Sequence, residues 1–152
     1  MANLIAAVDG EVMVDHGSFD LIDDAGPQRA RIDYGSRSEW VFTGDNSVII
    51  SSPSAWNHVS VLRVEAWDGS PPPASGWDDQ RDATLRLTSG TIEINPAVDA
   101  DTADWIQVGP AGLYRVRVFV AGREELLARE SNPEDELRGI ERYLIQFWPG
   151  QG

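Results

Sequence analysis

Apolar residues along this chain recur mostly with a period of two, and Gly, Pro, Asn or Asp interrupts them at short intervals. That spacing predicts many short antiparallel strands, because successive side chains of a strand point to opposite faces. Glu11–His16 places Val12 and Val14 on one face, and Ser18–Ile22 does the same with Phe19 and Leu21; Gly17 between them predicts a bulge or bend. Glu39–Thr43 and Ser47–Ser51 flank Gly44-Asp45-Asn46, residues that tolerate positive φ, which predicts a hairpin. In His58–Trp67, Leu62, Val64 and Ala66 alternate with Arg63, Glu65 and Trp67. Ala83–Thr88 and Thr91–Asn95 read as a second hairpin around Ser89-Gly90, and Trp105–Val108 as a short strand. Gly112–Val120 is the clearest strand, with Tyr114, Val116, Val118 and Val120 on one face. Arg142–Trp148 is apolar on both faces, which predicts a covered, central position.

The connections carry their own signals. Pro27 to Ser38 reads as a polar link, and Pro71-Pro72-Pro73 cannot donate backbone hydrogen bonds, so Asp68 to Gln80 is expected to project as a loop. Gly122 to Gly139 lacks strand character; within it Ser131-Asn132-Pro133-Glu134-Asp135-Glu136 offers a cap, a helix-starting Pro and acids for a first turn. No internal repeat or heptad is present. Together these features predict an all-β chain, an antiparallel β-sandwich of about 8–10 short strands with at most one short helix, forming a single domain over residues 1–152.

Composition narrows the function. The net charge is −13, from 12 basic and 25 acidic residues. A surface of that sign argues against nucleic acid or an anionic membrane as partner and leaves basic proteins open. Every basic residue is Arg, which reads first as coding bias and says little about function. Without cysteine there is no disulfide framework, Cys-based zinc site or thiol nucleophile. The N-terminal Met1–Asp9 has no basic stretch and too short an apolar run for a signal peptide or membrane span, so a cytoplasmic location is expected.

Catalytic signatures are sparse. Neither GxxxxGK[ST], GxGxxG nor G-x-S-x-G occurs, and an imidazole base must come from His16 or His58, both of which fall in strand patterns. Asp99, Asp101 and Asp104 cluster in one loop, as ligands of a hard cation do, but the spacing is not that of an EF-hand and Asp also serves to cap loops. No cofactor and no catalytic residue is expected. Six tryptophans are many for this length; Trp40, Trp67, Trp105 and Trp148 are expected in the core, while Trp56 and Trp77, beside the proline loop, suit exposed platforms.

Three stretches, taken in order, carry a resemblance: Val12-Met13-Val14-Asp15-His16-Gly17-Ser18-Phe19-Asp20-Leu21, Gly112-Leu113-Tyr114-Arg115-Val116-Arg117-Val118, and Glu141-Arg142-Tyr143-Leu144-Ile145-Gln146-Phe147-Trp148. This order of a His-x-x-Phe strand, a Gly-x-Tyr strand and a terminal Tyr-x-Ile strand resembles the competence protein J family. The resemblance implies a small, non-enzymatic inhibitor of a nuclease. The matching positions are strand-pattern positions, so no binding residue carries over.

Charge and resemblance converge on an acidic protein-binding module, of inhibitor or immunity type, that covers a basic enzyme such as a nuclease or toxin. Its candidate binding residues are Trp77 with Asp78, Asp79 and Asp82, a second patch of Glu134, Asp135 and Glu136, and Trp56. The alternative is a carbohydrate or small-ligand module built on Trp56 and Trp77.

Overall fold

The computed structural model describes residues 2–36, 38–54, 56–96, 104–130 and 137–150. Its strands are β1 (Leu4–Val14), β2 (Ser18–Ile22), β3 (Val41–Gly44), β4 (Ser47–Ser51), β5 (His58–Trp67), β6 (Asp79–Leu87), β7 (Thr91–Asn95), β8 (Trp105–Gln107), β9 (Gly112–Ala121) and β10 (Arg138–Pro149). One helix, α1 (Arg123–Arg129), joins β9 to β10. The strands build two five-stranded sheets, β1-β5-β10-β9-β6 and β3-β4-β2-β7-β8. These form the all-β sandwich that the alternation predicts, with all pairings antiparallel except β5 with β10.

Period-two alternation decides which side chains enter the core. Val12 and Val14 of β1, Leu21 of β2, Val48 and Ile50 of β4, Val64 of β5 and Ile92 of β7 are completely buried, as are Val116 and Val118 of β9 and Ile145 and Phe147 of β10. Each such aliphatic or aromatic burial contributes roughly 1.5–3 kcal/mol. Phe19 from the second sheet meets Tyr143 from the first edge-on, ring centroids 5.1 Å apart. β10 lies between β5 and β9, and Gln146 and Trp148 on its outer side are buried as well, so its two-faced apolar pattern does mark a central strand.

Gly122 turns the chain from β9 into α1 with φ 90°. A Cβ there would sit 2.0 Å from the Ile140 carbonyl oxygen, so glycine is required on both counts. Leu126 fastens the helix to the body. The helix precedes Ser131–Glu136, the sequence expected to start one, which lies outside the described residues.

Besides the earlier starts of β6 at Asp79, inside the expected loop, and of β10 at Arg138, four features differ from the sequence-based expectation. β1 begins at Leu4, well before Glu11, because Ala6, Ala7 and Gly10 weaken the apolar signal while the backbone still pairs with β5 from Leu4↔Trp67 to Val14↔His58. His16 is not in a strand: with φ 56° it forms, together with Gly17 at φ 81°, a tight turn closed by reciprocal Asp15–Ser18 backbone hydrogen bonds of 3.3 Å. Ser89-Gly90 is not a hairpin turn, since β6 edges the first sheet and β7 lies inside the second. Trp105 is 58% exposed, because Ile106 takes the inward position of β8. Trp40 and Trp148 are buried as expected and Trp67 is half-buried.

Candidate functional site

The structure places the candidate acids of the proline loop on or beside β6, each already engaged. Asp78 accepts a hydrogen bond from the Gly122 N–H at 3.1 Å. Asp79 accepts from Arg81 at 2.7 Å and from the Trp40 indole at 3.2 Å, and Asp82 accepts from the Arg117 Nε at 2.9 Å. Trp77 is half-buried, against Phe119 at 6.0 Å and beneath the Arg142 guanidinium at 5.7 Å. Trp56 stands 62% exposed just before β5, at the same end of the first sheet as the start of β6. Glu134, Asp135 and Glu136, like Asp99 and Asp101, lie outside the described residues. Asp104 immediately precedes β8. Among the described residues no three His, Asp or Glu side chains converge to hold a metal.

His58 is linked to a carboxylate only through two serines, within the protein's interior. Completely buried Glu141 accepts from the Tyr143 hydroxyl at 2.5 Å, from Ser52 at 3.1 Å and from Ser60 at 3.4 Å. The Arg123 Nε faces it at 3.4 Å without hydrogen-bond alignment, while another Arg123 nitrogen donates to Tyr143 at 3.1 Å and to the Ser51 carbonyl. His58 contacts Ser52 through Nε2 at 3.1 Å and Ser60 through Nδ1 at 3.5 Å. A nucleophile–base–carboxylate triad needs the acid on the far nitrogen of the imidazole. Here the acid bonds the two serines instead, so the cluster ties β4, β5, β10 and α1 together without aligning that relay. Burial pushes the His58 pKa down and outweighs attraction by Glu141 and Glu130, leaving the ring neutral at pH 7. Burial, aided by the Glu141 charge, raises Tyr143 well above its ordinary range, so it stays a donor.

A cluster of carboxylates without a cation lies on the second sheet. All strand arginines of the described residues, Arg63, Arg81, Arg86, Arg115, Arg117, Arg138 and Arg142, belong to β5, β6, β9 and β10 of the first sheet. The second sheet carries none. Inward Phe19, Leu21, Ile92, Ile94 and Ile106 leave Asp20, Ile22, Glu93, Asn95, Trp105 and Gln107 facing outward. Glu93 sits in register between Ile22 and Trp105. Partial burial raises its pKa, and Asp24, Asp104 and Asp23 add to the rise, the mark of a negative field with no cation to relieve it. Asp20 is likewise raised by desolvation, against the hydrogen bond it accepts from Asn95 at 3.0 Å. Half-buried Phe42 and Ile49, paired across β3 and β4, extend the face with apolar surface. The result is an exposed indole among unpaired acids. Sequence reasoning missed it because Trp-Ile-Gln in β8 does not reveal which residue points inward, although the alternation in Thr91–Asn95 already put Glu93 outside.

No protein-family model matches the chain, and no curated protein matches it in sequence. Solved structures do. ComJ of Bacillus subtilis, an inhibitor of the DNA-degrading activity of NucA, superposes with a TM-score of 0.60 over 99% of both chains at 11% identity. The chain has the fold of competence protein J. The protein of crocagin biosynthetic gene J matches with a TM-score of 0.57 over 97% of this chain and 100% of its own, at 16% identity. The resemblance read from three strand segments therefore extends, as a fold, along the whole length.

Proposed function

We propose that this chain is a non-enzymatic, inhibitor-type protein-binding module whose acidic second-sheet face covers the cationic surface of a nuclease. The observation that carries the reading is Trp105, 58% exposed beside Glu93, whose pKa neighbouring carboxylates help to raise, on a sheet without a strand arginine. An aromatic anchor inside a charged rim is the usual anatomy of a protein interface. Opposite charge on the partner relieves the repulsion stored among Glu93, Asp24 and Asp104 and speeds encounter. The likeness in fold to a nuclease inhibitor supports the same reading. The interior placement of the His58–Glu141 cluster supports a non-catalytic role.

The test is a DNA-cleavage assay in which the purified chain is titrated against NucA and against nucleases of its own organism, at low and high salt. Inhibition that Trp105→Ala or the pair Glu93→Gln/Asp104→Asn weakens at least about tenfold supports the face. No inhibition of any of these nucleases, or inhibition untouched by both variants, overturns it.

A further inference from the structure

The first sheet carries a hollow of different chemistry on its own outer face. Asp68, Gly69 and Ser70 after β5, Arg115 and Arg117 of β9, and Trp148, Pro149 and Gly150 at the end of β10 line a space of about 520 Å³. A smaller one of about 190 Å³ adjoins it, lined by Asp82, Thr84, Arg115, Val116 and Trp148 among others. Arg115 and Trp148 line both.

The local charge is decided by which carboxylates are spent. Asp82 is held by two Arg117 nitrogens, at 2.9 and 3.4 Å, and that guanidinium lies 5.1 Å from the Trp148 ring centre. Asp68, on the rim, accepts from the Asn3 backbone N–H at 2.7 Å and from its amide at 3.2 Å, neutral donors that fix the carboxylate in place and leave its charge. Arg115, exposed and flanked across the sheet by Thr84 and Trp148, makes no ion pair among the described residues. It is thus an unspent planar cation in a chain of net charge −13. The distant negative charge is screened beyond about 8 Å at physiological salt, so the near field governs what enters. A guanidinium fork takes an oxyanion through two parallel hydrogen bonds. Beside it the exposed Pro149 ring offers apolar surface above the buried Trp148 indole, and the volume falls in the range of small-molecule sites.

We propose that this hollow binds a small organic oxyanion, a carboxylate or phosphate monoester carried on a flat or apolar body, with Arg115 gripping the anion and Pro149 contacting the body next to the buried Trp148 indole. The site lies on the sheet opposite the partner face and does not depend on it. Titration of the 15N-labelled chain with phenyl phosphate, benzoate and inorganic phosphate, followed through the Trp148 indole N–H and by calorimetry, tests it. At least one aryl probe should saturate at a 1:1 ratio in the millimolar range or below, and the tighter of the two identifies the anion. Arg115→Gln should weaken it at least about tenfold and Arg115→Lys less, since lysine keeps charge without the fork. Arg31→Gln, a change away from the hollow, should leave it unchanged. Failure of both aryl probes to saturate by about 10 mM, equal affinity in Arg115→Gln, or inorganic phosphate binding as tightly as phenyl phosphate each overturns the proposal.

Discussion

The Asp23 carboxylate, just after β2, captures Ser89 in the crossover from β6 to β7, accepting its backbone N–H and its hydroxyl, each at 2.8 Å. The Gly90 N–H adds a third bond at 3.0 Å. Asn46, also buried, accepts from the Thr88 N–H at 2.8 Å and donates to the Pro27 carbonyl at 3.1 Å. These two side chains satisfy the backbone groups that a hairpin would have paired, and so let the chain cross from one sheet to the other at Thr88–Gly90.

Asp23→Ala should therefore cost about 2–3 kcal/mol, because it leaves buried donors unsatisfied. Urea denaturation of the variant reads this directly. Burial raises the Asp23 carboxyl, but its hydrogen bonds from Ser89, Gly90 and Ala25 prevail and hold it below its ordinary value. The stabilisation is complete above the unfolded value of 3.8 and is lost as pH falls through the lower, folded one. The variant's stability should depend less on pH in that acid window.

Gly90→Ala should be at least as damaging, by about 3 kcal/mol or more, since φ is +82° and the new Cβ would meet the Gly109 carbonyl oxygen at 2.0 Å. A loss of under about 1 kcal/mol would show that the crossover can move.

Around His58 the sign is opposite in origin but acid-sensitive too. The folded ring resists protonation, whereas the unfolded chain takes up a proton near pH 6.5. Stability contributed by the neutral ring is present above that value and declines as pH drops below it. Denaturation midpoints measured from pH 7.5 to 5 should fall in wild type and fall less in His58→Gln.

Glu141→Gln leaves Arg123 without its carboxylate inside a low-dielectric cluster, and should cost about 3–5 kcal/mol. Tyr143→Phe removes the hydroxyl between Glu141 and Arg123 and should cost about 1–3 kcal/mol. Thermal unfolding ranks the two; Tyr143→Phe exceeding Glu141→Gln would place the weight of the cluster on the phenol.

On the proposed partner face, stability and binding should separate. Glu93→Gln relieves repulsion and is expected to leave Tm unchanged or raise it by about 1 °C, while slowing association chiefly at low salt. Asp82→Asn, which breaks the Arg117 pair, should leave the association rate nearly unchanged. Stopped-flow binding distinguishes them; an equal effect of both would return the partner to the β6 acids.

Much of this was legible along the chain. Val12, Val14, Leu62, Val64, Tyr114, Val116, Ile145 and Phe147 enter the core because period-two alternation leaves no other way to bury them. The covered position of β10 followed from apolar residues on both of its faces, and the resemblance in fold from the order of three strands. Local rules failed where a distant partner decided. Ser89-Gly90 has the chemistry of a hairpin turn, yet Asp23 and Asn46 take its donors. Asp78, Asp79 and Asp82 read as free acids, yet Gly122, Arg81 and Arg117 hold them, and their register is set by the pairing of β6 with β9.

The sequence by itself determined the all-β class, the inward residues of most strands and the excess of acid, since these depend on period and composition alone. Where that acid stays unpaired was a tertiary decision. The two sheets segregate strand arginines onto one side of the sandwich, and a carboxylate's charge is cancelled or kept according to which cation lies within a few ångströms, a distance that only the folded chain defines.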